Sequence, residues 1–295
     1  MQMRPYQQAA REAVHREWDE GRNRTLLVLP TGCGKTIVFA KITEDEVRSG
    51  SRVLILAHRG ELLQQAADKL ERTSGLKCAV EKAEQTCLGE WYRVTVGSVQ
   101  TLMRQKRLAQ FPPDYFQTII IDEAHHAISG SYQVILDHFA GARVLGVTAT
   151  PDRGDKQNLG KVFDSLAYEY TLLQAIHEGY LTPIRALTVP VQIDFTHVGT
   201  SAGDYKPGDI ATALDPYLDQ IAAEMAKHCA DRKTVVFLPL VKTSQKFRDI
   251  LCRHGWQRST ANPTTGNRSC RTFPTANTTY CATVCCSPRA GTVRR

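Results

Sequence analysis

The sequence predicts an α/β fold, a parallel β-sheet with helices on both faces, and three observations lead there. Short apolar runs recur at 25–29 (TLLVL), 52–57 (RVLILA), 118–121 (TIII) and 143–148 (RVLGVT). Stretches with helical periodicity lie between them. A glycine-rich loop, LPTGCGKT at 29–36, follows the first run directly. Strands that are apolar throughout are buried on both sides, as parallel sheets with helical crossovers require.

Each element can be justified in order. Residues 5–20 read as an amphipathic helix opened by Pro5, because proline presets φ at a first helical position. The strand at 25–29 ends at Pro30. A helix is expected from about Lys35 to Ser49, closed by Gly50. The strand at 52–57 precedes a helix over 60–73. Residues 92–96 read as a strand, Gly97 and Ser98 as a turn, and 99–109 as a helix. Asp122 sits at the carboxyl end of the 118–121 strand. The strand at 143–148 runs into Ala149, Thr150 and Pro151. Beyond it the expectations are a helix at 172–179, a strand at 184–195, a polar loop at 199–208 and a helix at 210–230. A buried strand at 234–238 and a helix at 243–254 open a second α/β unit.

With 295 residues, the chain has room for one large or two ordinary domains. No apolar run reaches the length of a membrane span, so no membrane partner is expected. The first residues lack the apolar core of a secretory signal, so a cytoplasmic location is the default expectation. The net charge of +7 says little about ligands, because it is concentrated. Residues 257–295 hold six Arg and no Lys, Asp or Glu, leaving 31 basic and 30 acidic residues in 1–256. The nine cysteines lack paired metal-ligand spacing, so no zinc site is expected.

The loop at 29–36 carries the clearest chemistry. Backbone amides across Thr31, Gly32, Cys33, Gly34, Lys35 and Thr36 can wrap a phosphate at a helix N-terminus. Lys35 would neutralise β/γ-phosphate charge, and the Thr36 hydroxyl would bind Mg²⁺. ATP and Mg²⁺ are therefore the expected cofactors. Asp122, directly after an apolar strand, can hold Mg²⁺ through water, and Glu123 can orient and deprotonate an attacking water. Asp122 stands 86 residues after Thr36 in the same expected sheet. Thr148 and Thr150, at another strand end, carry hydroxyls that could hydrogen-bond the Asp122–Glu123 segment. Gln7 offers an amide that could pair with an adenine edge.

These segments, taken together, resemble a family. Residues 4–8 (RPYQQ), 29–36, 56–63 (LAHRGELL), 96–102 (VGSVQTL), 122–126 (DEAHH), 146–153 (GVTATPDR) and 235–244 (VVFLPLVKTS) occur in the order seen in superfamily 2 helicases. The chain looks most like the DEAD/DEAH-box group that includes type III restriction Res subunits and RadD-like repair helicases. The resemblance implies a RecA-like P-loop NTPase fold and an ATP-driven motor on nucleic acid, DNA rather than RNA. It implies that Gln7 reads adenine, that Lys35, Thr36, Asp122 and Glu123 run hydrolysis, and that His125, Thr148 and Thr150 couple ATP to movement. It places His58, Arg59, Gly97, Ser98, Gln100 and Thr101 along a strand-binding groove.

The same resemblance divides the chain: a RecA-like ATP-binding lobe over 1–155, a connecting segment over 156–230, and the start of a second RecA-like lobe over 231–256. That lobe is expected to be incomplete. Residues 257–295 lack Leu, Ile and every acidic residue. Read one nucleotide earlier from about Gln257, the codons of 276–292 are compatible with GEYDVLCNGMLLTEGWD, the string this helicase group should carry there. An out-of-frame, largely disordered tail is therefore expected. The leading function is an ATP-dependent DNA helicase or translocase impaired by loss of that lobe. The alternatives are a non-catalytic ATP- and nucleic-acid-binding remnant, or a subunit completed by a partner.

Overall fold

The computed structural model describes residues 3–57, 67–68, 70–149, 159–188, 190–201, 204–229, 234–253, 272–273 and 281–285. The expected His58, Arg59 and Thr150, and most of the helix expected over 60–73, lie outside them. The chain divides into two compact units, Met1–Ile184 and Arg185–Arg295.

The first unit is built on a seven-stranded sheet: β1 (Arg24–Val28), β2 (Val53–Ala57), β3 (Cys78–Glu81), β4 (Val94–Ser98), β5 (Thr118–Asp122), β6 (Arg143–Thr148) and β7 (Ser165–Glu169). Their order is β3-β4-β2-β5-β6-β1-β7, and every pairing is parallel. This is a RecA-like sheet flanked by helices, so the fold class read from the sequence stands. Parallel pairing also brings all strand carboxyl ends to one pole, where ligands of open α/β sheets bind.

Period-2 alternation explains the near-unbroken apolar runs. In β1, Leu27 joins a core shared with Val14 and Trp18 of α1 (Pro5–Asp19) and Val38 and Ile42 of α2 (Lys35–Arg48). Its neighbours Leu26 and Val28 join the opposite core, with Phe111, Phe116, Tyr132 and Phe163. Both faces are therefore roofed.

Several elements differ from the sequence reading. Gly97 and Ser98 continue β4 instead of forming a turn, because Gly97 lies against Leu102 and Leu54; an added Cβ would come within 2.7 and 3.0 Å of their methyls. The helix expected over 99–109 is two short ones, α3 (Val99–Leu102) and α4 (Gln105–Leu108). β3 is an unforeseen strand; its Glu81 is buried and meets Arg107 and the Cys87 amide. β7 also pairs beside β1 in the region read as a connecting segment. Its partly exposed, mixed pattern gave no apolar run to find. The strand expected at 184–195 is not formed by the described residues there.

The second unit holds α7 (Pro207–Leu214) and α8 (Leu218–Cys229), following α5 (Gly130–His138) and α6 (Leu172–His177) of the first. One helix was expected across α7 and α8; Pro216 interrupts it with a 3₁₀ turn. A short hairpin, β8 (Thr200–Ser201) and β9 (Asp204–Tyr205), precedes them. β10 (Thr234–Leu238) and α9 (Val241–Arg253) follow, and Leu218, Ala222, Leu238, Phe247, Ile250 and Leu251 form their core. β10 pairs antiparallel with β12 (Cys281–Cys285), which also pairs with β11 (Thr272–Phe273). No parallel sheet like that of the first unit forms among the described residues here, a sign of an incomplete second lobe.

Candidate nucleotide site

The loop after β1 ends at the N-terminus of α2, and two of its residues have left-handed backbones: Gly32 at φ 91° and Gly34 at φ 78°. Only glycine adopts these values without strain. Pro30 to Cys33 form a tight turn, with the Cys33 amide donating to the Pro30 carbonyl at 3.1 Å. The amides of Thr31, Gly32, Gly34, Lys35 and Thr36 donate to no backbone carbonyl among the described residues. Consecutive free amides at a helix N-terminus form an anion cradle.

Lys35 is largely enclosed, and its Nζ lies 3.9 Å from Glu123 Oε1. Glu123 is half exposed and has a left-handed backbone at φ 58°, uncommon for a residue with a side chain. It stands where β5 turns sharply into the 3₁₀ segment Ala124–Ile128. His125 Nδ1 lies 3.6 Å from the other Glu123 oxygen, and the His125 ring is 4.1 Å from that of His126. Asp122 accepts from the Glu123 amide at 3.1 Å. The fold thus brings Lys35, Glu123 and His125 together from two strand ends.

Two buried hydroxyls near this pole, Thr148 Oγ1 and Tyr132 Oη, have no hydrogen-bond partner among the described residues. Burial, and then the nearby Asp122 charge, push the Tyr132 hydroxyl well above its usual pKa. Tyr132 escaped the sequence reading because a tyrosine on an apolar helix face reads as core. Oxygen donors from Thr36 and Asp122 suit a hard cation such as Mg²⁺. At Gly34 an added Cβ would come within 2.5 Å of Gln7 Nε2, so the close packing of the loop on α1 requires glycine there.

Gln7 behaves differently from expectation. It is buried; its carbonyl accepts from the Arg4 amide at 2.9 Å, and its Nε2 donates to the Cys33 carbonyl at 2.9 Å. Both ends of the amide are turned to the protein, so pairing with adenine requires it to let go. Cys33 is buried beside it, and burial raises its thiol pKa, which suits a packing group rather than a nucleophile.

The described residues expected along the groove, Gly97, Ser98, Gln100 and Thr101, lie at the end of β4 and the start of α3. Gly97 packs in the sheet, Ser98 is buried with its hydroxyl on Gln100 Oε1 at 3.2 Å, and the Thr101 hydroxyl accepts from the Ala83 amide at 3.0 Å. Gln100 is exposed at the same pole.

Residues 1–153 match the family model of the type III restriction enzyme res subunit. The chain belongs to this family. It is a superfamily 2 helicase domain, related to ATP-dependent helicases and translocases that act on nucleic acid. IRC3 of Saccharomyces cerevisiae (strain ATCC 204508 / S288c), which carries an ATP-dependent helicase designation, is 33% identical over 227 residues, 72% of this chain and 33% of that protein. The mitochondrial irc3 of Schizosaccharomyces pombe (strain 972 / ATCC 24843), similarly designated, is 31% identical over 257 residues, 83% of this chain and 42% of that protein. A fragment designated HsdR subunit of a type I restriction enzyme, from Vibrio vulnificus YJ016, superposes with a TM-score of 0.63 at 26% identity, covering 85% of this chain and 45% of that one. The chain thus spans less than half the length of these relatives. Among the described residues, no helix is long and apolar enough to cross a membrane.

Proposed function

We propose that this chain is the ATP-binding portion of an ATP-dependent DNA helicase or translocase, with hydrolysis and movement impaired in this product. The observation that carries the reading is the loop of 29–36: amides with no backbone partner among the described residues, two left-handed glycines, and Lys35 set against Glu123 at 3.9 Å. The amides and Lys35 would hold the phosphates. Thr36 and Asp122 would hold Mg²⁺, which supplies charge neutralisation across the phosphate oxygens. Glu123 would orient and deprotonate water, and His125, beside it, would report the state of the site. DNA is favoured because the type I restriction relatives, such as the EcoAI endonuclease subunit of Escherichia coli (30% identical over 183 residues, 59% of this chain and 22% of that subunit), belong to DNA restriction enzymes.

Two observations favour impairment. The second unit builds no parallel sheet among its described residues, and the residue composition changes abruptly after Trp256. An arginine supplied from a second lobe can be worth ~10³–10⁵ in phosphoryl-transfer rate. Without it, ATP binds and turns over slowly. The gene sequence tests the origin of the change: reading one nucleotide upstream should give GEYDVLCNGMLLTEGWD at 276–292. A gene whose upstream frame gives no such string contradicts the out-of-frame tail. The function itself is tested by nucleotide binding and nucleic-acid-stimulated ATPase of the whole chain. Strong stimulated turnover, lost in Lys35→Ala, would instead mark a working motor; turnover only with another protein present would mark a subunit.

A further inference from the structure

After β7 the chain returns to the loop of 29–36. Tyr170, whose amide donates to the Val28 carbonyl at 2.9 Å, lays its ring flat on Tyr6 at 4.3 Å and 6°. Its hydroxyl donates to Glu178 Oε2 at 2.7 Å, across α6. Gly179, at φ 75°, turns the chain so that the amides of Tyr180 and Leu181 both donate to the Ala175 carbonyl at 2.9 Å. The Tyr180 ring meets Tyr6 edge-on at 4.8 Å, and the Arg4 guanidinium lies over Tyr180 at 5.0 Å. Leu181 ends against the loop: a Cβ on Gly32 would come within 3.0 Å of its Cδ2.

Tyr6 is the middle of this stack, and its hydroxyl donates to the Cys33 carbonyl at 3.0 Å. Gln7 Nε2 occupies the same carbonyl. A trans peptide points its C=O and the next N–H in opposite directions. Holding the Cys33 carbonyl on the α1 side therefore aims the Gly34 amide away from α1, and the left-handed Gly34 backbone accommodates that orientation. Two donors share the task, and one of them, Gln7, must release the carbonyl if its amide turns to a base.

We infer that Tyr6, buttressed by Tyr170, Tyr180 and Leu181, is a positioning residue that keeps the Cys33–Gly34 peptide turned so that the loop can receive phosphate. The inference rests on the nucleotide-binding reading above and deepens it. Tyr6 preserves the loop while Gln7 is engaged elsewhere, and the returning segment 170–181 supports the nucleotide site through Tyr6. The stacked Tyr170 and the edge-on Tyr180 both restrain the Tyr6 ring.

The test uses the whole chain and fluorescent mant-ATP with Mg²⁺, titrated well below the melting temperature. Tyr6→Phe keeps the stack and removes one hydroxyl. It should weaken binding by about three- to tenfold, the range that one neutral hydrogen bond supports. Tyr170→Ala should weaken binding comparably, and Tyr170→Phe, which keeps the ring, should restore it. A purely structural role would lower the melting temperature without this affinity pattern. If the wild type binds and Tyr6→Phe binds equally well, the inference is overturned while the nucleotide site stands. If the wild type binds no better than Lys35→Ala, the nucleotide reading fails and the inference fails with it. Should Tyr170→Ala not fold, Tyr6→Phe decides alone.

Discussion

β1 and β10 are almost interchangeable as sequences, TLLV against TVVF, yet they occupy opposite situations. Leu27 of β1 is fully buried, and its neighbours fill the second core on the other face. In β10, Val236 and Leu238 pack on helices, whereas Val235 is 49% and Phe237 69% exposed. A run apolar on both sides announces two covering layers. The first unit supplies both layers; the described part of the second supplies one. The difference teaches that the apolar pattern of β10 exceeds the cover it has, with one face left exposed just before the composition break.

Substitutions can break or sharpen that contrast. Leu27→Ala should have the largest effect, about 2–5 kcal/mol in the stability of the first unit, because the site cannot fully collapse. Denaturant unfolding measures it, and a loss below about 1 kcal/mol would mean that the sheet is less tightly roofed than its geometry implies. Gly146→Ala comes next. A Cβ there would meet the Phe163 ring at 2.4 Å and Ala124 at 3.0 Å, so overpacking of about 1–3 kcal/mol is expected in the same assay.

A smaller, pH-dependent effect comes from α1 against α2. Arg11 binds Asp45 through two hydrogen bonds of 2.6 Å, and His15 Nε2 lies 3.1 Å from the same carboxylate. Burial alone would raise the Asp45 pKa, but the Arg11 and His15 contacts outweigh it and hold it below the usual value. A depressed folded-state pKa contributes stability above the unfolded pKa of ~3.9 and loses it as pH falls through the lower folded value. Arg11→Met should therefore be less stable than the wild type near neutrality, and the two should converge in strong acid. An equal gap at all pH values would remove Asp45 from the account. Phe237→Ser should change stability least, within about 0.5 kcal/mol, while reducing self-association seen by light scattering. A core-sized loss there would show that the open face of β10 is covered in solution.

The legible parts of the sequence were those where local pattern and burial agree. Apolar runs located β1, β2, β5, β6 and β10, and the glycine spacing of 29–36 located the sharp loop before α2, because a left-handed backbone leaves a mark in residue type. β3 and β7 were not legible. Their sequences, CAVE and SLAYE, are short and half polar, and only pairing with neighbours makes them strands. The segment 99–109 read as one helix, and 184–195 read as a strand; propensity without tertiary partners decided both wrongly. At the candidate site, motif and strand end singled out Lys35, Asp122 and Glu123, and the fold sets Lys35 3.9 Å from Glu123. Tyr6 and Tyr170 were not singled out, since each acts through a contact with a residue distant in the chain, Cys33 for Tyr6 and Tyr6 for Tyr170. Gln7 was found, but its partners in this structure, Arg4 and Cys33, were not foreseeable from spacing.

Equilibrium titration of the whole chain with mant-ATP and Mg²⁺, followed by ATP turnover with and without DNA, tests the central claim most directly. The account predicts saturable binding that Lys35→Ala abolishes, and slow turnover that DNA barely changes. Absence of binding by the wild type, or equal binding by Lys35→Ala, would contradict the nucleotide site; rapid DNA-stimulated turnover would contradict the impaired second lobe.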